Sequence, residues 1–73
     1  MYENPFASIR VDFLEEGVKQ TAKCNCSYDK FIYFVGLAIK VATDVYQNSI
    51  DSVVGDAMKL INNGAIEGFD REG

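Results

Sequence analysis

Residues 28–46 read YDKFIYFVGLAIKVATDVY, and the spacing of their side chains decides what the rest of the chain has to do. Advancing about 100° per residue gathers Gly36, Thr43, Gln47, Lys40, Tyr33 and Asp44 into one arc of roughly 100°. The other positions from Phe31 to Val45 are apolar: Phe31, Ile32, Phe34, Val35, Leu37, Ala38, Ile39, Val41, Ala42 and Val45. Their arc of roughly 220° is much wider than the stripe by which a surface helix meets one neighbour. The pattern predicts one continuous helix that must meet at least two partners, with Phe31, Phe34, Val35 and Ala38 at the centre of the core. Ser27 stands where an N-cap belongs, and Asp29 puts a negative charge in the first turn, where it suits the helix dipole.

Working toward the N-terminus, the period changes from 3.6 to 2. Ala7, Ile9, Val11 and Phe13 alternate with Ser8, Arg10 and Asp12, and Val18, Gln20, Ala22, Cys24 and Cys26 alternate with Lys19, Thr21, Lys23 and Asn25. Two half-buried strands separated by Glu15-Glu16-Gly17 predict a hairpin. A Glu16-Gly17 loop pairs Phe13 with Gln20, Val11 with Ala22, Ile9 with Cys24 and Ala7 with Cys26, collecting the apolar positions on one face. Its cost is Arg10 opposite Lys23 on the outer face, which solvent screens. A three-residue loop would set Phe13 against Lys19 and is disfavoured by burial. Gly17 supplies the positive φ that such a turn requires.

Working toward the C-terminus, Asn48 or Ser49 can cap a second helix, with Asp51 early in it. Ile50, Val53, Val54, Ala57, Leu60 and Ile61 make one apolar face, and Asn63 or Gly64 can take the left-handed position that ends it. Ile66 and Phe69 allow a short third strand near 65–69. The fold class is therefore α+β. A two-stranded antiparallel hairpin (about 7–14 and 18–26) is packed by two helices (about 28–46 and 50–62), in a single domain 1–73 with frayed ends at 1–5 and 70–73. A two-stranded sheet leaves open edges, able to pair with a second copy or accept a strand from a target.

The 73 residues are 48% hydrophobic and include five Phe and four Tyr, which argues against disorder. A domain of this size buries only about 60% of its unfolded surface, so either its core is unusually dense or a partner covers part of it. The formal charge of −4 weakens a case for phosphate-backbone binding, which relies on clustered Lys and Arg. The apolar run Phe31–Ile39 falls well short of the ~20 residues a membrane-spanning helix needs. MYENPFASIR does not have the basic start and apolar run of a signal peptide, so a cytoplasmic setting with reduced cysteines is expected.

Cys24 and Cys26 are the only metal-ligand cysteines, and the chain has no histidine. Zinc wants four ligands, so a metal site would need a second chain or Asp29. Cys26 precedes the predicted long helix, whose dipole favours a thiolate. The hairpin register instead turns both thiols toward the core, where reduced cysteine acts as a small hydrophobe. No metal or cofactor is expected. Without histidine the usual neutral-pH base is missing, and the carboxylates Asp12, Glu15 and Glu16 cluster at a solvent-facing hairpin end. An enzyme is not expected.

What remains is a small protein-binding module: an inhibitor, adaptor or regulatory protein acting on a host protein. Small acidic proteins of this size are frequent products of phages and plasmids. Candidate contacts are the outer hairpin face (Arg10, Asp12, Lys19, Thr21, Lys23), the tip Glu15-Glu16, and Tyr33 and Tyr46. The alternatives are a self-assembling homodimer and, less favoured, nucleic-acid binding through Arg10, Lys19 and Lys23, which Asp12 and the acidic tip oppose.

Overall fold

A computed structural model describes residues 4–72. In chain order they form β1 (Phe6–Leu14), β2 (Gly17–Asn25), α1 (Tyr28–Tyr46), α2 (Ile50–Asn62) and β3 (Asp70–Glu72), an α+β fold. The residues divide into two compact units, one holding 4–31 with 68–72 and the other 32–67.

The first unit is a three-stranded sheet of order β1-β2-β3, antiparallel between β1 and β2 and parallel between β2 and β3. A parallel neighbour cannot follow through a tight turn, and here the connection runs through both helices. The third strand lies at Asp70–Glu72, not at 65–69 as the apolar Ile66 and Phe69 suggest; residues 65–69 have no regular structure. Backbone pairing needs no apolar side chain, so a charged Asp-Arg-Glu run serves as well at a sheet edge. Of the ends expected to fray, Met1–Glu3 and Gly73 lie outside the described residues, Asn4 and Pro5 have no regular structure, and residues 70–72 carry the β3 pairing.

The hairpin differs from the expected register by one step of the ladder. Phe13 faces Val18, Val11 faces Gln20, Ile9 faces Ala22 and Ala7 faces Cys24. A two-residue slide keeps every side chain on its expected face, so burial alone does not choose between the two arrangements. Cross-strand pairing does. The observed register sets Phe13 against apolar Val18 and Asp12 against Lys19, replacing Phe13–Gln20 and the like-charged Arg10–Lys23; each such pair is worth about 0.2–1 kcal/mol. The loop becomes Glu15-Glu16, neither of which has positive φ, and Gly17 takes φ +151° at the start of β2.

Ala22 is the one buried apolar residue among those described, 7% exposed, opposite Ile9 on one side and beside Arg71 on the other. On the same face Ala7 and Gln20 are half-buried, and Ile9, Val11, Phe13 and Val18 are exposed. Gln20 donates from its side-chain amide to the Gly68 carbonyl, fastening the segment that leads into β3.

Both helices have the expected bounds, α1 from residue 32 onward and all of α2 lying in the second unit. Ser49 caps α2, its hydroxyl accepting from the Ser52 backbone N–H at 3.1 Å. Its far end closes with Gly64 at φ +73°: Gly64 N–H donates to Ile61 C=O and Ala65 N–H to Leu60 C=O, the paired bonds of a Schellman ending. On the polar arc of α1, Lys40 meets Asp44 at 3.2 Å and Thr43 Oγ1 donates to the Lys40 carbonyl at 2.8 Å.

No residue of either helix is buried. The core expected at Phe31, Phe34, Val35 and Ala38 is therefore not present: Phe31 and Phe34 are half-buried, and Val35 and Ala38 are exposed. An apolar arc covering more than half a helix needs neighbours on two sides, and α1 shares with α2 an open groove on one.

Candidate partner-binding site

Alternation and register place Ser8, Arg10 and Asp12 of β1 on the same side of the sheet as Lys19, Thr21 and Lys23 of β2. Together with Glu72 of β3 they line an open depression of about 480 Å³. All five outer-face residues singled out from the sequence are thus brought together. Arg10 Nε donates to both Asp12 carboxylate oxygens at 3.1 Å, two residues along one strand. This hydrogen bond, reinforced by the opposite charge of Asp12, holds the Arg10 guanidinium above its ordinary pKa. Lys23 Nζ lies 5.4 Å from the centre of the Phe6 ring, in cation–π range.

The third strand changes the electrostatics of this face. Thr21 pairs with Asp70 and Lys23 with Glu72, and partners in register point to one side. Arg10, Lys19 and Lys23 are therefore matched by Asp12, Asp70 and Glu72. The face is a balanced mosaic of charge, not a basic patch. Nothing in the sequence marked Asp70 and Glu72 for this place, since a three-residue charged strand carries no alternation.

The other candidates stand apart from this cluster. Glu15 and Glu16 form the exposed turn itself. Tyr33, 78% exposed, borders a shallow depression on α1 with Gly36, Leu37 and Lys40, and Tyr46 is exposed at the last position of α1.

Neither cysteine takes the core position expected of it. Cys24 is exposed and Cys26 is half-buried beyond the end of β2. Cys24 stands opposite Ala7 in the ladder, whose methyl group offers it little cover. Among the described residues no three His, Cys, Asp or Glu side chains converge on a possible metal position. No helix among them is long and apolar enough to cross a membrane.

Two further surfaces emerge that sequence reasoning assigned to the core. Phe13, 82% exposed, sits beside the acidic turn and opposite Val18. The second is the groove between α1 and α2, about 380 Å³, lined by Val35, Ala38 and Ile39 on one helix and by Val53, Val54, Ala57, Met58 and Ile61 on the other. Its signal was already present, in the width of the α1 apolar arc.

The fold thus defines an α+β protein whose notable surfaces are a charge-balanced sheet face and an uncovered helical groove. Comparison with protein families, curated proteins and solved structures gives no match for this chain.

Proposed function

We propose that this chain is a protein-binding module without catalytic activity of its own, an inhibitor, adaptor or regulatory protein that works in the cytoplasm by docking on another polypeptide. A host protein targeted by a phage or plasmid product fits its size and acidic composition. One observation carries the reading: large apolar side chains stand open on both the sheet face and the helices, Phe13 and Val18 on the first, Val41 and Ile61 on the second. Contiguous apolar patches on a small protein mark interaction surfaces, and an exposed aromatic beside charged neighbours is the usual form of an interface anchor.

The polar sheet face supplies orientation more than affinity. Its alternating charges favour one docking register and penalise others. The same balance weighs against nucleic acid as the partner, because Asp70 and Glu72 offset the cations that would meet phosphates.

The test is co-purification of a tagged copy from its native cell, comparing wild type with Phe13→Ser and Val54→Asp, each checked for helix content by circular dichroism. A stoichiometric protein companion that either folded variant loses is the expected result. A chain that travels alone, or whose companion is indifferent to both substitutions, refutes the proposal.

A further inference from the structure

We propose that β1 is the seam of a homodimer. Its free edge pairs antiparallel with β1 of a second copy, about a twofold axis at Val11, joining two sheets into one of six strands. This goes beyond the docking reading above, because it concerns a strand edge and a second copy of this chain.

The edge comes first. In the order β1-β2-β3, β1 has a strand neighbour on one side only among the described residues. An edge strand carries unpaired N–H and C=O groups, and proteins blunt such edges with shortness, proline, bulges or charge. At the other edge β3 is three residues long and charged throughout. By contrast β1 is nine residues long, FASIRVDFL, with no proline. It pairs with β2 without a break from Phe6 to Leu14, so no bulge interrupts it. Its only charges are Arg10 and Asp12.

Those two charges select the partner and its alignment. In an antiparallel pair, directly opposed residues point to the same side of the sheet. A twofold axis normal to the sheet therefore passes beside a residue that faces its own copy. An axis at Arg10 opposes two guanidinium groups, and an axis at Asp12 opposes two carboxylates. An axis at Ile9 leaves Arg10 facing Ser8 and Asp12 facing Phe6. Only an axis at Val11 sets each Arg10 opposite Asp12 of the other copy. It also sets Ile9 opposite Phe13, a favourable pairing of a β-branched and an aromatic side chain. Within one strand Arg10 already meets Asp12 at 3.1 Å, so the four charges alternate in sign around the axis. Charges that guard the edge against other strands thus complement a second copy of this one.

Sedimentation equilibrium of the full chain and cysteine crosslinking test this. The expected mass is twice 8.1 kDa. Arg10→Glu sets carboxylates face to face at two places and should weaken association about tenfold or more. If that variant fails to fold, crosslinking decides. In a Cys24→Ser, Cys26→Ser background with oxidised glutathione, Val11→Cys should give a disulfide-linked dimer. Facing residues of an antiparallel pair lie about 4.5–5.5 Å apart, within disulfide reach. Ile9→Cys should not link, since the two copies of position 9 stand about 13 Å apart along the strands. A monomeric wild type overturns the proposal. So does a dimer that links at position 9 as readily as at 11, or one that a folded Arg10→Glu leaves unchanged. A monomer that still carries a protein companion overturns self-pairing alone and leaves the docking reading standing.

Discussion

Ser49→Ala removes one hydrogen bond and leaves everything else in place. The Ser49 hydroxyl accepts from the Ser52 N–H at 3.1 Å, while the Ser49 carbonyl continues to accept from Val53 N–H at 3.0 Å. Alanine keeps that backbone bond and abandons the side-chain one, so the loss is that of a cap, about 1 kcal/mol. The effect should be conspicuous because α2 has 13 residues and no buried side chain; isolated helices this short are marginal in water, and the cap is a large part of what holds the first turn. For a domain of this size 1 kcal/mol corresponds to a fall of about 4–8 °C in the thermal midpoint. Circular dichroism at 222 nm, at one fixed protein concentration, reads it. Ser49→Gly should cost only a few tenths of a kcal/mol, and Ser49→Asp should match or exceed wild type, since its carboxylate both accepts the bond and faces the helix dipole. If Ser49→Asp melts as low as Ser49→Ala, or Ser49→Ala melts with wild type, the capping argument is wrong.

Four other outcomes follow from particular contacts. Gly17→Ala should destabilise the hairpin by about 1–3 kcal/mol, because φ +151° is a conformation that L residues rarely adopt; a denaturant titration followed by strand dichroism checks it. Gln20→Ala removes the bond to the Gly68 carbonyl, and hydrogen exchange at Asp70–Glu72 should accelerate while the β1–β2 ladder keeps its protection. Gly36→Ala should stabilise by up to about 1 kcal/mol in the same denaturant assay, since a Cβ there meets nothing within 4 Å. Cys24, exposed on β2, should react with a maleimide in the folded protein, and Cys24→Ser should change stability by less than about 0.5 kcal/mol.

Periodicity made the elements legible, and for a physical reason. The change from alternation to a 3.6-residue repeat between Cys26 and Tyr28 reflects backbone geometry that no neighbour alters, so α1 and α2 begin and end where side-chain pattern and caps place them. What pattern could not supply was anything that depends on two segments meeting. The hairpin register set Asp12 opposite Lys19 and Phe13 opposite Val18, a choice between arrangements that keep the same residues on the same face. The pairing of Asp70–Glu72 with Thr21–Lys23 lies between residues nearly fifty positions apart, and their charged side chains gave no hint of a strand. Of the candidate site, the five outer-face residues were readable because alternation alone puts them together. Phe13 and the groove were misread as interior because an apolar position says that water is disfavoured there, not which molecule displaces it.

The parallel pairing of β3 also sets an order of events during synthesis. The residues of the hairpin and of both helices are all joined before residue 70 is added, and domains generally take shape from the N-terminus as translation proceeds. Until Asp70 and Glu72 arrive beside Thr21 and Lys23, Arg10, Lys19 and Lys23 share that side of the hairpin with Asp12 alone. That one face of the hairpin therefore carries a local excess of positive charge until β3 pairs and balances it.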